Sequence, residues 1–316
     1  MKKQLSYALL IGLVACACVR PKSAETAKEP VAGQDSTQSF ELPAIPATLT
    51  SVAQREDYLI RHYWDHFPIA AQTTVFPCEK KGIEQAWVNF CYLLLPCPED
   101  YSEARIKETF HKFLVNKVVL KHFMGLADKY WYDPNSPIRN EEFYIAMLET
   151  ILRAPVLTDT EKLVPEARYE LAQKNRKGSR AIDFVYTLKS GKQGTLHALR
   201  SDYTLLFINN PGCHACEAVI SELKSSALVS RMLADHELTL LAMYTDENLS
   251  EWNEHLSDFP KEWINGYDSG QLINAGQLYD LRAIPTLYLL DAEKNVLLKD
   301  APFAQIEEYL ILHPVL

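Results

Sequence analysis

Between residues 50 and 175, apolar side chains recur every three or four positions, the period of one face of a helix. Tyr58, Ile60, Tyr63, Trp64 and Phe67 define a first helix that stops before Pro68. A second is expected over 83–95, ending at Pro96. Ile106, Phe110, Phe113, Leu114 and Val118 define a third, expected to run on toward Tyr132. Asp133-Pro134-Asn135-Ser136-Pro137 is a turn signal. Asn140 is placed to cap the next helix, with Glu141 and Glu142 in its first turn and Phe143, Met147 and Ile151 along its apolar stripe. A last helix is expected to include 165–174. This half reads as an all-α bundle of about five helices, with no fixed-period repeat.

After Gly178 the pattern changes. Residues 182–188 alternate, Gly191 marks a turn, and 203–208 form a continuous apolar run of the kind a buried central strand shows. Helices are expected over 213–223, 249–256, 272–281 and 303–312, with strands over 238–244, 286–290 and 296–298. The order β, α, β, α, β, β, α describes a central mixed sheet flanked by helices. The expected fold is α+β in two domains: an all-α bundle over 50–177 and a sheet domain over 178–316.

Composition refines this. The 316 residues are 47% hydrophobic, enough for two cores, and the net charge of −9 with no long basic run argues against a nucleic-acid binder. Lys2 and Lys3 precede an apolar stretch from Leu5 to Ala15, and Leu13-Val14-Ala15-Cys16 fits a bacterial lipoprotein signal in which Cys16 becomes the lipidated N-terminus. Cys18 is the poorer match for that role. The apolar stretch is short for a membrane span. Residues 1–15 are thus read as a signal peptide. Residues 16–49, rich in Ala, Pro, Ser, Thr and Gln, are read as a disordered tether. The expected location is the cell envelope, on a lipid anchor, with the outer membrane favoured over the inner and the body facing the periplasm. In that oxidising compartment one pair among Cys78, Cys91 and Cys97 could be bridged, or all three could be buried thiols.

The chemistry concentrates at Cys213-His214-Ala215-Cys216, directly after the apolar run and at the expected start of a helix. The free N–H groups and positive dipole end of a helix stabilise a thiolate. A cysteine of pKa about 8.5 is only a few per cent thiolate at neutral pH, and one near 7 is about half thiolate. The first cysteine can then attack a disulfide and the second resolve the mixed disulfide. Other patterns are weaker. His62 and His66 stand four apart on a helix, but position 63 is Tyr63 and no third ligand is evident; nor does a second cysteine pair follow Cys216. No metal and no cofactor is expected. Trp252, Trp263 and Tyr267 read as aromatic core.

Residues 178–316 resemble the thioredoxin fold, in its exported branch related to TlpA and ResA. The resemblance rests on the strand followed by Cys213 and Cys216 at a helix start, on Ala283-Ile284-Pro285-Thr286 before the next strand, and on Ile182-Asp183-Phe184 opening a strand with its hairpin. The whole chain resembles uncharacterised lipoproteins that join a helical domain of unknown function to a thioredoxin domain. Tyr132 to Pro137, Arg139 to Glu142, Asn209-Asn210-Pro211 and Glu262 to Asp268 carry that likeness. It implies a cis Ile284–Pro285 bond lying against the cysteines and presenting backbone to an extended substrate. It also implies protein thiols and disulfides of the envelope as partners, an electron-donor thiol protein, and reduction or isomerisation ahead of oxidation. The chain departs from the pattern in two places. Phe207 stands six residues before Cys213, where many thioredoxins carry a buried acid, and His214 follows the first cysteine instead of preceding the second; protonated, it could bias the Cys213 thiolate. A peroxidase signature would need Thr or Ser at 210 and Pro at 206, where this chain has Asn210 and Leu206. The competing reading is a thioredoxin-fold adaptor whose cysteine pair is structural or vestigial.

Overall fold

The computed structural model describes residues 40–69 and 80–315. Cys16, Cys18 and Cys78, and with them the signal, lipidation and most of the tether, lie outside the described residues. Among the described residues six α-helices come first: α1 (Val52–His62), α2 (Lys80–Leu94), α3 (Glu99–Phe113), α4 (Lys117–Ala127), α5 (Glu141–Leu152) and α6 (Asp159–Ala172). Their shared core is aromatic. Trp64 sits against Trp87, Phe90, Phe113 and Phe123, and all five rings are buried. Phe40, within the segment read as tether, packs its ring on Tyr63, Trp64 and Phe67. An apolar ring of that size finds more contact on this core than in water.

The long third helix is instead two. α3 ends at Phe113 and α4 starts after Asn116, whose backbone is extended. The Asn116 side chain accepts hydrogen bonds from the Val118 and Val119 N–H groups at 2.9 and 3.2 Å, giving the backbone a local alternative to continuing the helix. The bend brings Phe113 and Phe123 face to face, centroids 3.9 Å apart. α4 then runs into a π-helical turn, Asp128–Tyr132. Asn140 caps α5 as expected, accepting from the Phe143 N–H at 3.0 Å. The last helix carries Pro165 inside it as expected and begins at Asp159, where Thr158 and Glu161 form a capping box.

The second half is a seven-stranded sheet of order β2-β1-β5-β4-β3-β6-β7. Its strands are β1 (Val185–Leu188), β2 (Gln193–Thr195), β3 (Tyr203–Asn209), β4 (Leu238–Tyr244), β5 (Ile264–Tyr267), β6 (Thr286–Leu290) and β7 (Val296–Lys299). β3, β4 and β5 are parallel, and the remaining pairings are antiparallel. α7 (His214–Ser225), α8 (Ala227–Ala234), α9 (Leu249–His255) and α10 (Phe303–Leu312) complete it. The central strands β3 and β4 are buried on both faces. Leu205, Phe207 and Leu240 join one core with α7, α8 and α10, while Leu206, Ile208 and Leu241 join the other with Phe184, Tyr279 and Tyr288.

α8 and β5 had no counterpart in the sequence reading, and the helix expected over 272–281 is absent. There the Asp268 carboxylate accepts the Ile273 N–H at 2.6 Å, and Gln271 and Gln277 adopt left-handed φ angles of 53° and 49°. Gly276 is pressed so close to the Leu272 carbonyl that a Cβ would stand 2.4 Å from it. Side chain and backbone together hold a series of turns where apolar spacing alone suggests a helix.

The helical and sheet halves belong to one compact unit. Arg139 pairs with Asp300 at 2.8 Å, Glu141 with Lys299 at 2.8 Å, and the Asn175 amide donates to the Leu278 carbonyl at 2.8 Å. None of the described helices is long and apolar enough to cross a membrane.

Candidate redox site

β3 delivers the chain to Asn209, and Asn210-Pro211-Gly212 turns it into α7. Gly212 takes a φ of 71°, a left-handed conformation that glycine adopts without steric cost. Cys213 then occupies the N-cap of α7. No N–H of the first turn makes a full hydrogen bond to Cys213 Sγ. Burial pushes the Cys213 thiol up, yet the N–H groups of Cys216 and Ala215, with the Cys216 thiol, more than offset this and hold it below its ordinary value. Cys216, one turn on and 1% exposed, is the opposite case. Burial pushes it up to about 12, and the neighbouring Cys213 adds to the rise. Both cysteines carry free thiols.

The Ile284–Pro285 bond is cis, and the Ile284 carbonyl faces Cys213 Sγ at 3.8 Å. Thr286 Oγ1 donates to the Ala283 carbonyl at 2.7 Å, which ties the loop to the start of β6. Thus Cys213, Cys216, Ile284 and Pro285 come together, although about 70 residues separate the two segments in the chain.

His214 does not join them. Its side chain is fully exposed and faces Glu217, 3.4 Å away, so solvent and a carboxylate surround it instead of the thiols. Phe207 is fully buried in the core shared with Cys216, edge-on to Trp263, and supplies no proton acceptor. Trp252 and Trp263 are buried. His62 bonds to Asp65 at 2.6 Å, and among the described residues no cluster of His, Cys, Asp or Glu is arranged to hold a metal. Cys91 and Cys97 are free thiols, not bridged to each other.

The contacts that hold the proline loop come from residues with no local sequence pattern. Arg282 lies over the Tyr132 ring at 4.1 Å, donates to the Tyr132 carbonyl at 3.0 Å, and pairs with Asp280 at 2.7 Å. Arg168 covers Tyr132 at 4.3 Å. Arg282, Lys299 and Arg139 therefore meet Glu141, Asp280 and Asp300 at the junction of the two halves. Long-range ion pairing leaves no periodic trace. The one available signal was the cluster of charges at 139–142 beside the turn.

A strand leading into a cysteine pair at a helix N-terminus, opposed by a cis-proline loop on a mixed sheet, defines the thioredoxin-like class. Residues 201–296 match the family model described as thioredoxin-like, and 17–175 match that of a domain of unknown function (DUF5106). A crystal structure of a thioredoxin-like protein from Bacteroides caccae is 50% identical, covers 88% of this chain and 100% of its own, and superposes with a TM-score of 0.83. The C-terminal domain of an uncharacterized protein from Bacteroides fragilis is 55% identical over 43% of this chain and 98% of its own, with a TM-score of 0.43. A domain of a possible thiol-disulfide isomerase from Cytophaga hutchinsonii is 19% identical over 44% of this chain and 94% of its own, with a TM-score of 0.38. No curated protein matches. The chain belongs to the thioredoxin-like family, in the form that carries the helical domain of unknown function ahead of the sheet.

Proposed function

We propose that this protein is a thiol–disulfide oxidoreductase of the bacterial cell envelope, anchored by lipid at Cys16, that reduces or isomerises disulfides in exported proteins. The observation that carries the reading is the asymmetry of the pair: Cys213 is partly exposed and acidified at a helix start, and Cys216 is buried with its proton held. In reduction, the Cys213 thiolate attacks one sulfur of a substrate disulfide. That S–S bond breaks, a mixed disulfide forms and one substrate thiolate leaves. Cys216 then loses its proton and attacks Cys213 Sγ. The second substrate thiolate departs, the substrate has gained two electrons, and the protein holds a Cys213–Cys216 disulfide. A thiol protein of the envelope returns it to the dithiol form. In isomerisation the freed substrate thiolate attacks a second disulfide of the substrate and displaces a different thiolate. A substrate thiolate then attacks the substrate sulfur of the mixed disulfide, forming a new substrate disulfide and releasing the Cys213 thiolate unchanged. The Ile284 backbone beside Cys213 presents a docking edge for the substrate segment.

The test is trapping in cells with Cys216→Ala. Mixed disulfides should accumulate on Cys213 and vanish on reduction. A Cys216→Ala sample indistinguishable from a Cys213→Ala control would overturn the reading.

A further inference from the structure

We infer that the helical half builds one wall of the substrate groove, and that its loop from Pro134 to Arg139 selects which cysteine-bearing segments reach Cys213. This rests on the redox reading above. A groove of about 470 Å³ lies between the two halves and reaches Ala215, the residue between His214 and Cys216. Ile284 and Pro285 line it on the loop side and Val219 on the α7 side, while Pro134 and Pro137 of the helical half face them across it.

Both walls are fixed. On the helical side, Ser136 Oγ donates to the Tyr130 carbonyl at 2.6 Å, and Arg139 both pairs with the Asp300 carboxylate at 2.8 Å and donates to its carbonyl at 2.7 Å. On the other side, Arg282 grips Tyr132, three residues ahead of Pro285. The width of the groove is therefore set by contacts between the halves and not by the sheet domain alone.

The lining identifies the occupant as an extended polypeptide with apolar residues beside its cysteine. The Ile284 N–H donates to no group among the described residues, and its carbonyl meets only the Cys213 thiol. That backbone edge suits a main-chain partner. On the opposite wall Pro134 and Pro137 have no N–H to offer, and the Asn135, Ser136 and Arg139 N–H groups are bonded within their own loop, so that wall contributes proline surface and polar side chains but no ladder of main-chain hydrogen bonds. Main chain is read on one side and side chains on the other.

The experiment uses the full chain in its reduced form and fills the groove from the helical side with Asn135→Trp, an exposed groove-lining position. Pro137→Trp serves as a second variant, and thermal unfolding checks that both fold. Two probes are compared. One is a short unstructured peptide whose single cysteine, flanked by leucines, is capped as a mixed disulfide with glutathione. The other is cystamine, small enough to reach Cys213 without the groove. The peptide should react about tenfold more slowly with either folded variant, equivalent to about 1.4 kcal/mol, while cystamine reacts at the wild-type rate. Unchanged peptide rates overturn the inference. Equal losses with both probes also overturn it, because the loop would then act on the thiol and not on the groove. Wild-type protein inert to both probes is a separate failure, that of the redox reading, and the inference falls with it.

Discussion

Cys213 should react alone at neutral pH, and the size of its advantage follows from the site. The Cys216 thiol is pushed up to about 12, so at pH 7 roughly one molecule in 10^5 carries a thiolate there. An ordinary cysteine is a few per cent ionised at the same pH. Cys213 is held below its ordinary value, so its thiolate population exceeds that of Cys216 by more than about 10^3. Burial of Cys216 at 1% exposure slows any reagent further. Single serine variants isolate each thiol while keeping a hydroxyl donor beside the remaining sulfur. Timed alkylation with iodoacetamide, followed by intact mass from about pH 6 to pH 10, then reads each thiolate directly. Cys216→Ser protein, with only Cys213 of the pair, should label rapidly at pH 7. Cys213→Ser protein should resist at Cys216 until it is denatured. Cys91 is buried with its thiol also pushed up to about 12, and peptide mapping separates it and Cys97 from the pair. Comparable labelling of Cys213 and Cys216 in the folded variants would refute the reasoning, because no surviving difference in thiolate population could then drive ordered exchange.

Two further outcomes test the framework around the site. Burial raises the Asp300 carboxyl from 3.8 to about 6, so the folded state binds its proton more tightly than the unfolded state. That contribution to stability is fully present below about pH 4 and is lost as pH rises through about 6, a difference of up to about 3 kcal/mol. Asp300→Asn should remove this part of the slope in urea unfolding measured across that window, and an unchanged slope would show that Asp300 does not titrate as its burial implies. Asn116→Ala should cost about 1–2 kcal/mol by stripping the cap from α4, and Asn116→Ser should recover most of it; the urea midpoint is the measurement.

What could be read from the chain divides along a physical line. The cysteine pair, the strand before it and the proline loop are local patterns whose chemistry depends on residue type and spacing, and each lies where that chemistry puts it. The Asn140 cap was legible for the same reason. Periodicity misled where a single side chain or a turn conformation overrides it. Asn116 divides a continuous apolar stripe because its amide competes for backbone N–H groups, and Asp268 with Gly276 folds 272–281 into turns. The salt-bridged junction left only the cluster of charges at 139–142 as a trace. Arg282 and Glu141 are 141 residues apart, and nothing in either neighbourhood announces the other.

The asymmetry of the pair also orders the steps of the proposed exchange. Four causes raise Cys216: burial first, then its hydrogen bond to Cys213, the charge on Cys213 and the charge on Glu217, against the Asn210 backbone, which lowers it. The two that come from Cys213 exist only while Cys213 is a thiolate. Once Cys213 is joined to a substrate, its charge is gone and its sulfur is a poorer acceptor, so both are withdrawn and Cys216 becomes easier to ionise. Burial, the largest cause, remains, but the part of the hold that Cys213 supplies is lifted once the mixed disulfide forms, with Phe207 at the position where many thioredoxins carry a buried acid. A route for the proton remains, because Cys216 also lines a cleft of about 390 Å³ shared with Asn210 and Glu217. The apolar core around Phe207 keeps Cys216 protonated in the resting state, and formation of the mixed disulfide supplies the trigger that a fixed carboxylate would otherwise provide.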